Sequence, residues 1–84
     1  GAPPSLVIEV RSAGQSLADL RNKCRAFRRN GVDACWLVDP SARSVEVFEG
    51  DRDAEPLSPD GSLETPVMPG FSVALRELFA VLDR

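Results

Sequence analysis

The sequence predicts a mixed α/β domain in which helices pack on a mixed sheet. Three observations carry this. Two short runs rich in β-branched residues are apolar on both faces, an amphipathic segment closed by a glycine lies between them, and a second amphipathic segment sits near the end of the chain. The order strand, helix, strand, strand, helix follows, and such an order places helices against a sheet that has both parallel and antiparallel neighbours.

The first strand is Leu6 to Arg11. Val7, Ile8 and Val10 are stiff, branched β-formers. Period two sets Leu6, Ile8 and Val10 on one face, and Val7, Glu9 and Arg11 on the other. A strand loaded on both faces is expected inside a sheet, covered on each side. After a loop containing Gly14, Ser16 and Asp19 match a capping box. A helix is expected from there to about Asn30, with Gly31 as its left-handed stop. Its apolar stripe is Leu17, Leu20, Cys24 and Phe27, and Arg21, Arg25 and Arg28 lie together on another face.

Ala34 to Val38 is the second strand, and Asp39-Pro40-Ser41-Ala42 reads as a turn with Pro40 at its first central position. Ser44 to Glu49 alternates, with Val45 and Val47 against Glu46 and Phe48, so it reads as an antiparallel partner near a sheet edge. Gly50 to Gly61 is acidic and reads as a loop, with room for a short strand around Leu57. Pro66 to Phe71 is a rigid apolar connector. Ser72 is placed as the cap of a terminal helix to about Leu82, with Leu75, Leu78, Phe79 and Leu82 on one side.

Composition sets limits on function. At 84 residues the chain is one small domain or a piece of a larger one, and folding removes roughly 60–65% of its surface from water. No apolar run approaches the ~20 residues that span a bilayer, and no charged-then-apolar leader pattern opens the chain. A cytoplasmic protein with no membrane contact is the expectation. The chain has no histidine, so Ser/His and Cys/His nucleophile systems and imidazole zinc sites cannot be assembled within it. Cys24 and Cys35 are not in a C-x-x-C pair and fall in apolar-patterned segments, which suits buried free thiols. The net charge is −3, with the basic residues concentrated in the first half. An acidic protein is a poor general binder of nucleic acid, because phosphate contacts dominate that affinity, although a basic half could touch phosphate locally.

Chemistry must then use carboxylates, lysine and arginine. Glu9 and Arg11, two apart on a strand, leave the same face. Such a pair can bind a divalent metal through the carboxylate and steady a water or phosphate with the cation. The plain alternative is a same-face salt bridge at a sheet edge. Lys23 flanks the helix's apolar stripe and can lean toward the sheet, although Asp19, four residues earlier, offers an ordinary helical ion pair. The arginine face can meet a phosphate backbone or can simply be the solvated side of the helix. Asp51 to Glu55 fails as a calcium loop, since Pro56 stands where glycine is needed. Trp36 is read as core.

The segments "LVIEVRS", "DLRNKCRAFRRNGVDACWLVDP" and "VMPGF" together resemble the Uma-two family of bacterial restriction-endonuclease-type proteins, within the PD-(D/E)XK nuclease superfamily. The resemblance runs from Pro4 to about Phe79. Family members read P-D-(L/F)-V-(I/V)-E-V-x-S-P-S-D, then K-x-x-x-Y-x-x-x-G, then W-L-(V/I)-D-P, a V-x-V strand and L-P-G-F. Ser5 replaces the family's Asp, Ala13-Gly14 replaces Pro-Ser, and Phe27 replaces Tyr.

The resemblance implies a restriction-endonuclease-like core over residues 1–84 and a Mg²⁺-dependent endonuclease acting on DNA. Glu9 matches the metal-binding strand carboxylate. Arg11 stands at the superfamily lysine position, and Lys23 matches the helical lysine that assists it. The chain corresponds to the C-terminal half of such a domain, without the hairpin that bears another catalytic aspartate. Glu9 alone is an incomplete ligand set, so no turnover is expected from these residues by themselves. The rival expectation is a non-catalytic module that dimerises through an exposed sheet edge or binds a partner.

Overall fold

The computed structural model describes residues 4–83. The elements are β1 (Leu6–Val10), α1 (Leu17–Arg29), β2 (Ala34–Asp39), β3 (Ser44–Glu49), β4 (Arg52–Pro56), β5 (Ser62–Glu64), β6 (Ser72–Ala74) and α2 (Leu75–Leu82). A four-stranded sheet has the order β1-β2-β3-β4, and β5 with β6 forms a separate antiparallel pair. β1 and β2 run parallel, joined by α1, whereas β2-β3 and β3-β4 are antiparallel. The sheet is therefore mixed, as the order of elements implied.

Pairing of residues across strands sorts the side chains onto two faces. Val7, Cys35 and Phe48 share one row, and Glu9, Leu37 and Glu46 share the next row on the same face. That face carries α1: Leu20, Cys24, Cys35, Leu37 and Phe48 form one buried cluster, with Val7, Leu17 and Phe27 at its margin. The opposite face collects Trp36, Val38, Val45 and Val47 with Leu63, Leu75 and Phe79. β2 is buried along its whole length because it lies between these two layers.

α1 forms where its caps and stripe place it. The Ser16 hydroxyl accepts a hydrogen bond from the Asp19 amide at 3.3 Å, and Arg28 and Arg29 sit at the negative end of the helix. Gly31 follows with φ +97°, a left-handed conformation that closes the helix at little steric cost. Gly50, at φ +62°, turns the chain between β3 and β4.

The structure corrects several local expectations. β1 is an edge strand among the described residues, and Ile8 and Val10 are 53% and 48% exposed rather than covered. β3 is not at the edge, because Arg52–Pro56 forms β4 beside it. Its acidic residues and proline disguised it as loop, yet an edge strand tolerates both. A shift of register between Val47 and Glu49, with Ala54 at φ +52°, bends this pair as a bulge does. The β2-β3 turn closes with the Arg43 amide donating to the Pro40 carbonyl, one residue later than expected, and Arg43 takes the left-handed position. Ser72 lies in β6 and not at a helix cap. α2 starts at Leu75 after Ala74, with no side-chain cap, because Ser72 to Ala74 pairs with β5 instead.

Trp36 is core, as expected, and stacks on Phe71 at 5.9 Å between ring centroids. No helix among the described residues is long and apolar enough to cross a membrane. Phe48 is 1% exposed at the centre of the α1 face. Phe48→Ala should therefore destabilise the fold by about 3–5 kcal/mol, read as a lower urea midpoint with an unchanged slope. A loss below ~1 kcal/mol would contradict this assignment of the core.

Candidate active site

The site begins with the row Glu9, Leu37, Glu46, which crosses three strands. α1 lies over its apolar middle, where Leu20 and Cys24 meet Leu37. Arg21 and Lys23 are two positions apart on α1, so they project to opposite flanks of the stripe. Each reaches down to one end of the row. Lys23 Nζ is 3.2 Å from Glu9 Oε1, and Arg21 forks onto both oxygens of Glu46 at 2.8 and 2.7 Å. The helix thus straddles the sheet between two ion pairs.

The pairs differ in exposure and geometry. The Arg21–Glu46 fork is bidentate and half-buried, the arrangement in which such contacts are strongest. The Glu9 side chain is 17% exposed and Lys23 is 54% exposed, so the ammonium stands between the carboxylate and solvent. It also lies 6.0 Å from the centre of the Phe27 ring. Lys23 meets Glu9 rather than Asp19, because the sheet beneath supplies a carboxylate that the isolated helix lacks.

Arg11 does not join this contact. Its Nη1 donates to Asp39 Oδ2 at 3.0 Å, and its Nε donates to the Gln15 carbonyl at 2.8 Å. Asp39 is buried, and its other oxygen accepts from the Ser41 and Ala42 amides. Arg11 therefore ties the end of β1 to the β2-β3 turn and to the loop that leads into α1. The same-face salt bridge, the plain alternative for Glu9 and Arg11, is replaced by two separate pairs.

Arg25 and Arg28, the other arginines of that helix face, are engaged too. Arg25 Nε donates to Asp53 at 2.9 Å, and Arg28 donates to backbone carbonyls including that of Gly50 at 2.8 Å. The face read as either solvated or phosphate-binding is instead tied to β3 and β4. Glu46 and Asp39 were missed as partners because alternation shows which face a residue occupies but not which residue lies across it. The signal that finds Glu46 is the pairing of rows, available only once strand register is known.

The family resemblance implies a divalent ion, so the donor set needs to be compared with one. Mg²⁺ takes about six oxygen ligands in near-octahedral geometry. Among the described residues no group of three or more acids, cysteines or histidines is placed to hold a metal. Glu9 stands alone. Glu46 lies beyond Leu37 with both oxygens taken by Arg21, and Asp39 is occupied by Arg11 and turn amides. The described residues do not by themselves fit such an ion.

The model of the Uma2 family, described as "Putative restriction endonuclease", matches residues 1–76. The chain belongs to the Uma2 family. A crystal structure described as "a putative nuclease belonging to DUF820", from Anabaena variabilis ATCC 29413, is similar at TM-score 0.81 and 24% identity, over 92% of this chain and 44% of that one. At that identity the likeness speaks to the fold, which is restriction-endonuclease-like. The chain spans less than half the length of that protein. No curated protein matches it. The family's description is of restriction endonucleases, a class of protein that in general uses a divalent metal.

The Arg25–Asp53 pair allows a direct check of the helix-to-sheet contacts. The Arg25 guanidinium holds the Asp53 carboxyl below its ordinary value. A lowered folded-state value adds stability above the unfolded value, and that stability is lost as pH falls through the folded one. The pair is exposed, so its effect on stability is small. Arg25→Ala should return Asp53 upward to the ordinary carboxylate range in a carbon-detected NMR titration. An unmoved midpoint would place Arg25 elsewhere in solution.

Proposed function

We propose that the chain is the part of an endonuclease that presents the strand carboxylate and the helical ammonium to DNA, in the cytoplasm. The observation that carries this reading is the 3.2 Å contact between Lys23 and Glu9, together with the position of Lys23 at the water-facing side of the pair. An exposed ammonium beside a carboxylate on a rigid strand can meet a non-bridging phosphate oxygen and stabilise charge that develops there during phosphodiester hydrolysis. Glu9, held by β1 and oriented by Lys23, is the oxygen ligand that such a site requires. Arg11 acts in this reading through the loop into α1, which it anchors, rather than by touching phosphate. Mg²⁺ is the ion of this reading, and it needs oxygens beyond Glu9, so these 84 residues alone turn nothing over.

Plasmid nicking in Mg²⁺ or Mn²⁺ tests this, using both the 84-residue chain and the gene product that carries it. The short chain is expected to leave supercoiled DNA intact. In the gene product, Glu9→Gln and Lys23→Ala should each slow nicking about 10²-fold. Thermal midpoints should stay close to that of the parent, because an ion pair this exposed contributes at most ~1 kcal/mol. Nicking by Glu9→Gln at the parental rate would end this reading.

A second reading rests on a separate observation, the open edge at β1 with Ile8 and Val10 half exposed. We infer that β1 pairs antiparallel with β1 of a second copy. Centred on Ile8, that register sets Leu6 opposite the partner's Val10 and extends one apolar face across both chains. It also places Glu9 opposite an apolar Val7 and avoids a Glu9–Glu9 clash, since like charges directly opposite are destabilising. Sedimentation of the chain at micromolar concentration should show a dimer that Ile8→Lys converts to a monomer. A folded parent chain that sediments only as a monomer would refute the pairing.

A further inference from the structure

Cys24 of α1 and Cys35 of β2 are both fully buried and free, and neither belongs to the ion pairs of the site above. Their sulfurs face each other at 2.8 Å across the helix-sheet junction, with the Cys35 thiol donating to Cys24. A formed bridge needs about 2.05 Å, so roughly 0.75 Å separates the present contact from a bond. Both belong to the buried cluster between α1 and the sheet, and within it the two sulfurs are opposed. They are eleven positions apart in the chain, so a bond between them ties the helix to the central strand through its own connecting loop.

We propose that Cys24 and Cys35 are a redox modification site, oxidised by a low-molecular-weight disulfide to an intramolecular bridge that pins α1 onto β2. The first exchange has the Cys24 thiolate attack one sulfur of the oxidant. The oxidant's S–S bond breaks, one small thiol leaves, and a mixed disulfide forms. The Cys35 thiolate then attacks the Cys24 sulfur, forms the protein disulfide and displaces the second small thiol. Two protein thiols thus give up two electrons and two protons, and the oxidant takes them up as two free thiols. Burial raises both thiols above their ordinary value. Exchange therefore proceeds through local opening of α1 and quickens with rising pH. Lys23 is the neighbour of Cys24, so the bridge also restrains the ammonium that meets Glu9. The inference does not depend on the nuclease reading.

The reduced 84-residue chain, treated with oxidised glutathione at mildly alkaline pH, with and without sub-denaturing urea, provides the test. The intact mass should fall by two hydrogens. Alkylation after unfolding should find no free thiol, and proteolysis should release a peptide joining Cys24 to Cys35. The thermal midpoint should rise by about 5 °C or more and return on adding dithiothreitol. Cys24→Ser and Cys35→Ser, each checked for fold by circular dichroism, should stop at a glutathione adduct without the rise. Both thiols surviving in urea, stable adducts on the parent chain, or bridges only between chains would each overturn the proposal. The peptide map of the parent decides the matter even if a serine variant fails to fold.

Discussion

The packing of α1 against Cys35, Leu37 and Phe48 is the contact on which the remainder of this structure depends. The helix contributes Leu20 and Cys24 to a dry seam, and burying side chains of this size contributes roughly 1.5–3 kcal/mol each for the larger ones. The seam also fixes which face of the helix meets the sheet, since a roll about its axis would expose Leu20 and Cys24. Arg21 on one flank and Lys23 on the other resist that roll, because each meets a carboxylate from the same transverse row of the sheet. Apolar burial sets the depth and facing of the helix, and the two ion pairs hold its flanks. Lys23 comes to Glu9 because of both.

The opposite face of the sheet is organised differently. It is covered by α2 and the β5-β6 pair, which bring Leu63, Leu75 and Phe79 onto Trp36, Val38, Val45 and Val47. That cover stops short of β1, where Leu6 still packs but Ile8 and Val10 do not. One strand thus has a polar, paired side under α1 and an apolar, uncovered side opposite. A strand of this kind is suited to further pairing, since its outer edge has no neighbouring strand among the described residues and Ile8 and Val10 are exposed.

The charged groups around the site divide by exposure. Asp39 and Glu46 are buried or nearly so and are held by arginines in close, directional contacts, which makes them parts of the scaffold. Lys23 keeps much of its surface in water and holds Glu9 through one contact. A buried charge cannot lose its partner without a large penalty, whereas an exposed ammonium can exchange a carboxylate for a phosphate at little cost. That difference separates Lys23 from Arg11 and Arg21 as the cation whose contact is the easiest to exchange.

The sequence alone determined what local forces decide. The β-branched runs, the Ser16 cap, the apolar stripe of α1 and the left-handed Gly31 act over a few residues each, and spaced motifs were enough to mark the Uma2 family. Tertiary structure decided what depends on strand register and on neighbours distant in the chain. β4 is a strand because β3 needed a partner, although its own residues are acidic and proline-bearing. Ser72 entered a hairpin rather than a cap because β5 offered it backbone hydrogen bonds. Arg11 turned to Asp39, and Lys23 turned from Asp19 to Glu9, for a shared reason. Periodicity shows the face on which a charge emerges, and only the packed sheet determines which opposite charge lies within reach.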